Sequence, residues 1–291
     1  MDTNELIKKV RKIEIRTRGL SRNIFSGEYH SAFKGKGMAF SEVREYQYGD
    51  DIRTIDWNVT SRFNHPYVKV FEEERELTVM LLVDISGSGT FGTHSLLKKD
   101  LITELCAVLS FSSLQNNDKI GLIFFSDKIE KFIPPKKGRT HVLRIIRELI
   151  EFKPESNGTD LTVALKYALN VIKKRSIVFI LSDFLANDFS EPMKIISKKH
   201  DTIAVRVYDK REAEFPDMGL ITAQDAESGK IFTFDTSVKS VRDNYKTWWN
   251  RKEEMINNLM KKNKIDIINL ATNESYITPL INFFKKRGSR V

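Results

Sequence analysis

The chain comprises 291 residues, of which 41% are hydrophobic and 30% charged, with a formal net charge of +9. This composition supplies a sizeable core for one large domain or two modest ones and argues against global disorder. The single cysteine, Cys106, excludes an intrachain disulfide, and the apolar runs fall short of the roughly 18 residues a membrane-spanning helix needs.

The first residues, Met1 to Lys9, lack the apolar centre of a signal peptide, so a soluble protein of the reducing cytoplasm is expected. The positive excess is spread along the chain, with no arginine-rich tract or aromatic-basic RNA motif. It favours an acidic protein partner over a nucleic acid. Leu6, Ile7, Val10, Ile13 and Ile15, set among charges, predict a short amphipathic helix within Asp2 to Leu20. Gly27 to Met38 reads as a loop. Its Lys34-Gly35-Lys36-Gly37 lacks the G-x-x-x-x-G-K-[ST] spacing of a phosphate-binding loop and reads as a solvated turn. From Glu42 to Trp57, acids and arginines alternate with aromatics and isoleucines. Tyr67-Val68-Lys69-Val70-Phe71 then alternates like a strand, ahead of the acidic group Glu72, Glu73 and Glu74.

From Leu77 the pattern changes. Strands are predicted at Leu77–Val83, Lys119–Phe125, Ile177–Leu181, Thr202–Tyr208 and Ile265–Leu270. Helices are predicted between them at Ser95–Gln115, His141–Phe152 and Leu161–Lys174. Repeated β-α alternation predicts a mainly parallel sheet covered by helices on both faces. Glu214 to Thr236, with Gly219, Gly229 and short alternating runs, reads as an inserted hairpin near residues 214–236. A long helix over Val238 to Lys262 returns the chain to the last strand.

Three predicted strand or helix boundaries carry oxygen ligands: Asp84-Ile85-Ser86-Gly87-Ser88, Asn157-Gly158-Thr159-Asp160 and Leu181-Ser182-Asp183. Ligands of open α/β sheets gather at the carboxyl ends of strands. If these ends converge, one aspartate and two or three hydroxyls can bind a hard cation, Mg²⁺ above all, with a second aspartate acting through a bound water. Each segment also has a plain structural reading: Thr159 or Asp160 as a helix cap, Asp183 as a cap or turn, Ser86 and Ser88 as loop residues.

Asp84-Ile85-Ser86-Gly87-Ser88, Thr159 and Asp183 together resemble the metal-ion-dependent adhesion site of von Willebrand factor A domains. Gly49-Asp50-Asp51-Ile52-Arg53-Thr54-Ile55-Asp56-Trp57, preceded by Arg44-Glu45-Tyr46, resembles a narrower group, the bacterial domain of unknown function 58. That group is often encoded beside MoxR-type AAA+ ATPases. Gly89 departs from the methionine such domains often carry, without removing a ligand. The resemblance implies a von Willebrand factor A-like, Rossmann-like α/β fold over residues 76–291, with a small β-containing subdomain over residues 1–75. It implies direct ligation of Mg²⁺, or of Mn²⁺ or Ca²⁺, by Asp84, Ser86, Ser88 and Thr159, and a water-mediated contact from Asp183. It also implies a non-enzymatic interaction module that works with a MoxR-type ATPase in assembling or remodelling other proteins. An open coordination position would attract a partner's carboxylate.

The rival reading is a Mg²⁺-dependent phosphohydrolase with Asp84 as nucleophile. Such a site wants a second aspartate two residues on, where this chain has Ser86. Asp50, Asp51, Arg53, Asp56 and Trp57 are readable as a carboxylate catalytic pair, an ion-pair network braced by Arg44 and Arg53, or a docking surface. In the network reading, Trp57 and Tyr46 pack this element onto the α/β domain. The histidines His30, His65, His94, His141 and His200 show no zinc-binding spacing. Cys106 reads as core, one of Trp248 and Trp249 as core and the other as a contact, and Phe283 to Arg290 as a solvated tail.

Overall fold

The computed structural model describes residues 11, 13, 14, 17, 38–63, 65–73, 77–90, 97–225 and 229–289. Expectations placed on residues 27–37, on Glu74 and on His30 and His94 lie outside these residues. So does most of the helix expected within residues 2–20, of which Arg11, Ile13, Glu14 and Thr17 are described and helical.

The first two strands, β1 (Met38–Glu45) and β2 (Tyr67–Glu73), pair with each other antiparallel, with a shift in register between Phe40 and Glu42. A 3₁₀ turn (Ile52–Thr54) and a short helix, α1 (Trp57–Phe63), connect them. Next come β3 (Thr78–Asp84), α2 (Lys98–Gln115), β4 (Lys119–Phe125), β5 (Ile129–Lys136), α3 (Arg139–Glu151) and α4 (Leu161–Val171). The chain continues through β6 (Ile177–Ser182), α5 (Ser190–Lys199), β7 (Asp201–Tyr208) and the single turn α6 (Lys210–Ala213). A hairpin of β8 (Leu220–Gln224) and β9 (Ile231–Asp235) precedes the long helix α7 (Lys239–Lys262), then β10 (Asp266–Ala271) and α8 (Ile277–Gly288).

Six strands form the main sheet in the order β10-β7-β6-β3-β4-β5. All neighbours are parallel except β4 and β5. The apolar runs read from the sequence are its central strands, buried on both faces as parallel strands require. Alternation along each strand sends side chains to two separate cores. Val79, Leu81, Val83, Phe179 and Leu181 pack with Leu105 of α2, Ile145 of α3 and Phe284 of α8. Met80, Leu82, Val178 and Ile180 pack with Leu165 of α4, Met193 of α5 and Met260 of α7.

Helix α2 is buried nearly all round, so its hydroxyls bond inward. Ser110, Ser112 and Ser113 each donate to the carbonyl four residues earlier, at 2.6, 2.9 and 3.0 Å.

Two parts of the sequence reading are corrected. Strand β5 is missing from the strands expected from the sequence; its Pro134 and Pro135 lie at the sheet edge, where missing N–H donors are tolerated. Phe283 to Ser289 is not a solvated tail. Leu280 and Phe284, one helical turn apart, seat α8 on the sheet, and Arg287 pairs with Asp201 and Asp266.

Candidate metal centre

The chain leaves β3 outward through β4 and β5, then returns to the other side of β3 with β6 and continues through β7 to β10. The reversal falls between β3 and β6. That is the switch point at which open α/β sheets form a crevice beyond the strand ends. Asp84 is the last residue of β3 and Ser182 the last of β6, so the sequence motifs sit at this crevice.

Asp84 is buried. Its Oδ1 accepts the Ser86 backbone N–H at 3.0 Å and its Oδ2 accepts the Ser182 hydroxyl at 2.6 Å. Ser86 and Ser88 bring their hydroxyls to 3.1 Å of each other. Burial, together with the charge of nearby Asp183, pushes the Asp84 carboxyl up to about 6, against the hydrogen bonds from Ser182 and Ser86.

Asp183 is held in a tight turn. Its Oδ1 accepts the Leu185 N–H at 3.1 Å, and Phe184 takes φ +59°, an uncommon left-handed conformation for a bulky residue. The Phe184 N–H in turn donates to the Ser182 hydroxyl at 3.1 Å, which leaves that hydroxyl's proton for Asp84.

The third loop joins the first through the backbone. The Gly87 N–H donates to the Asn157 carbonyl at 2.9 Å, and the Asp160 N–H to the carbonyl of Ser126, just past β4, at 2.9 Å. Thr159 lies between these ties, half-buried. Asp160 caps α4 by accepting the N–H groups of Thr162 and Val163 at 2.7 and 3.2 Å. The structure therefore gathers all three loops at one end of the sheet.

Two residues that the sequence reading did not single out complete the cluster. Lys98, at the first turn of α2, is 2% exposed, and its Nζ lies 3.1 Å from Asp183 Oδ2 and 2.5 Å from Glu212 Oε1. Burial opposes its charge, but Asp183 and Glu212 outweigh burial and hold its pKa above that of an ordinary lysine. Burial raises the Glu212 carboxyl despite the pull of Lys98. A signal for Lys98 existed: it falls on the same helical stripe as Ile102, Leu105 and Leu109, all buried. Glu212 had no local signal, because α6 is a single turn whose burial depends on its neighbours.

The donors at the strand ends are oxygens only, as hard divalent cations prefer. The carboxylates of Asp84 and Asp183 accept hydrogen bonds from Ser86, Ser182, Leu185 and Lys98, and a carboxylate oxygen has two lone pairs with which to accept. A buried carboxylate raised by burial and by a second carboxylate nearby, beside paired hydroxyls, is relieved by a cation. The residues present fit a divalent ion.

The acidic-aromatic motif is built differently. Arg44 grips Asp50 through both carboxylate oxygens at 2.8 and 2.7 Å, and this bond, with the Gln47 N–H, holds Asp50 below the ordinary carboxylate range. Asp51 caps the 3₁₀ turn by accepting the Arg53 N–H at 3.0 Å, and Asp56 accepts the Asn58 and Val59 N–H groups at the start of α1. The aspartates thus shape turns. The expectation that Trp57 packs onto the α/β domain is wrong: Trp57 is 71% exposed, with Tyr48 and Ile52 also exposed on the same element.

Elsewhere, Cys106 is buried in α2, where burial pushes its thiol up. His141 Nε2 lies 2.8 Å from the Ile120 carbonyl. Trp249 is core, stacked under Arg206 at 5.5 Å, while Trp248 is largely exposed.

A mainly parallel sheet whose switch-point strand ends carry D-x-S-x-S and a second aspartate defines a von Willebrand factor A-like α/β protein. Within that class, the chain belongs to the DUF58 family of proteins of unknown function, whose model matches residues 42–255. An uncharacterized protein of Mycobacterium tuberculosis, Rv1480, is 28% identical over 290 residues, covering 99% of this chain and 91% of that protein. The conserved hypothetical protein BatB of Bacteroides thetaiotaomicron superposes with a TM-score of 0.52 at 16% identity, over 73% of this chain and 99% of that one. The VWA domain of SpRpn10 aligns with a TM-score of 0.42 at 9% identity, over 71% of this chain and 94% of that one.

Proposed function

We propose that this chain is a metal-dependent protein-interaction module. Asp84, Ser86, Ser88 and Thr159 would hold a divalent cation, Mg²⁺ by preference and otherwise Mn²⁺ or Ca²⁺, with Asp183 acting through a bound water. Bound there, the cation would supply Lewis acidity toward a carboxylate of a partner protein. The observation that carries this reading is the buried Asp84, tied to Ser86 and Ser182 and facing Asp183 at the switch point. The basic balance of the chain supports an acidic partner. The sequence resemblance supports a MoxR-type AAA+ ATPase as that partner and an adaptor role in protein assembly or remodelling. The lone, buried cysteine supports a reducing, cytoplasmic setting, and among the described residues no helix is long and apolar enough to cross a membrane.

The phosphohydrolase reading is less well supported, because Ser86 cannot supply the acid/base carboxylate that an Asp84 nucleophile would need. Titration calorimetry with MgCl₂ and MnCl₂ tests the metal, expecting binding by the wild type and none by Asp84→Ala. Affinity capture from the native cell, with and without chelator, tests the partner. Recovery of an AAA+ ATPase only with metal, and not with Ser86→Ala, is expected. Equal recovery in chelator, or robust Mg²⁺-dependent phosphatase turnover abolished by Asp84→Asn, would overturn the proposal.

A further inference from the structure

The ammonium of Lys98 sits inside the same crevice as the proposed metal ligands, on one of them. It contacts Asp183 Oδ2 at 3.1 Å and Glu212 Oε1 at 2.5 Å, and the side chain is 2% exposed. It is not free to swing away. Glu212 is fixed through its other oxygen, which accepts the Asp209 N–H at 2.9 Å in a reciprocal cap of α6. Its backbone carbonyl accepts the Tyr245 hydroxyl at 2.9 Å, and the Tyr245 ring stacks on Phe215 at a 4.0 Å centroid separation. Asp209 is anchored by the Thr272 hydroxyl at 2.6 Å. The ammonium is therefore clamped by a rigid set of neighbours that reaches from β10 to the long helix α7.

The charge count gives this clamp a consequence. Asp84, Asp183 and Glu212 present three carboxylates against the one ammonium of Lys98. The two negative charges left over match one divalent cation. Lys98 also repels that cation directly, because like charges in a water-poor crevice are poorly screened.

We propose that Lys98 is a tethered counter-cation which sets the affinity of this centre: held in place by Glu212, it neutralises Asp183, keeps the metal-free centre stable and weakens divalent-cation binding into the reversible range. This rests on the metal reading above and concerns a residue outside the ligand set. The consequence is a site that loads and unloads its cation while the fold persists, rather than one that requires metal to fold.

The test is calorimetric titration of the full chain with MnCl₂ and MgCl₂. Lys98→Gln keeps an N–H donor for Asp183 without the charge, and the double variant Lys98→Met/Glu212→Gln removes both halves of the clamp, so that neither a buried charge nor a lost fold confuses the result. Lys98→Gln, which leaves three carboxylates unopposed, is expected to bind Mn²⁺ roughly tenfold or more tighter than the wild type, and the double variant, whose net charge is unchanged but whose Asp183 has lost the adjacent ammonium, to bind tighter by a smaller factor. Lys98→Arg, which retains the charge, should bind close to wild type. Circular dichroism melts in chelator should show the wild type folded without metal. Wild-type binding with unchanged or weaker affinity in both neutral forms would overturn the counter-cation role while leaving the metal reading intact. Binding only by the neutral forms would support the role in its strongest form. No binding by any form, or binding that survives Asp84→Ala, would remove the metal reading and this inference with it.

Discussion

The Ser182 hydroxyl at the end of β6 donates a 2.6 Å hydrogen bond to Asp84 Oδ2 at the end of β3, joining two strands that lie 98 residues apart in the chain. The same oxygen accepts the Phe184 N–H, so one hydroxyl fixes both the carboxylate and the left-handed turn that presents Asp183. Ser182→Ala removes a donor and an acceptor in a buried setting and should cost about 1–3 kcal/mol. Urea denaturation measures this, and a loss below about 0.5 kcal/mol would show that the hydroxyl does not organise the crevice.

Gly121 of β4 is required for space. A Cβ there would lie 2.7 Å from Met80 Sδ, which can shift, but also 2.9 Å from the Ile133 carbonyl oxygen and 2.9 Å from the Pro135 nitrogen, which are backbone. Gly121→Ala should therefore destabilise the β4–β5 edge by about 2–3 kcal/mol. A melting temperature within roughly 2 °C of wild type would contradict this packing.

His200 is 2% exposed and neither ring nitrogen has a hydrogen-bond partner among the described residues. Burial, with Lys199 and Arg175 nearby, lowers its pKa to about 4. The unfolded chain takes up a proton near the ordinary value of about 6.5, whereas the folded chain resists until about pH 4. Stability should thus be unaffected above pH 6.5 and decline as pH falls from about 6.5 to about 4, by on the order of 1–3 kcal/mol. Comparing denaturation at pH 7.5 and pH 4.5 for wild type and His200→Phe isolates this contribution. An identical acid sensitivity in the two proteins would rule it out.

The two kinds of tryptophan should respond oppositely. Trp57, 71% exposed on α1, should tolerate Trp57→Ala within about 0.5 kcal/mol. Trp249, 3% exposed against the Arg206 guanidinium, should lose about 3–5 kcal/mol on Trp249→Ala. Chemical denaturation of the two variants side by side provides the check. A large loss at Trp57 would restore the docked arrangement expected from the sequence.

Much of the fold was legible because burial leaves a local mark. A strand covered on both faces must be apolar at every position, and Val79 to Val83 and Ile177 to Leu181 show it. Edge elements carry a weaker mark. Strand β5 holds two prolines that only an edge can accept, and α8 ends in a run of lysine and arginine that hides the packing of Phe284.

The candidate site divides along the same line. The residue types at three strand or helix boundaries were legible, since oxygen ligands there have a chemistry independent of context. The sequence alone determined where those oxygen-bearing side chains fall, the parallel α/β plan and its core on both faces of the sheet, because short-range periodicity encodes which faces are buried. Only the tertiary structure decided that Ser182 would grip Asp84, that Lys98 would reach Asp183 and Glu212 from another helix, and that Trp57 would face solvent. Electrostatics in a crevice depends on distances between groups far apart in the chain, and no local pattern records those distances.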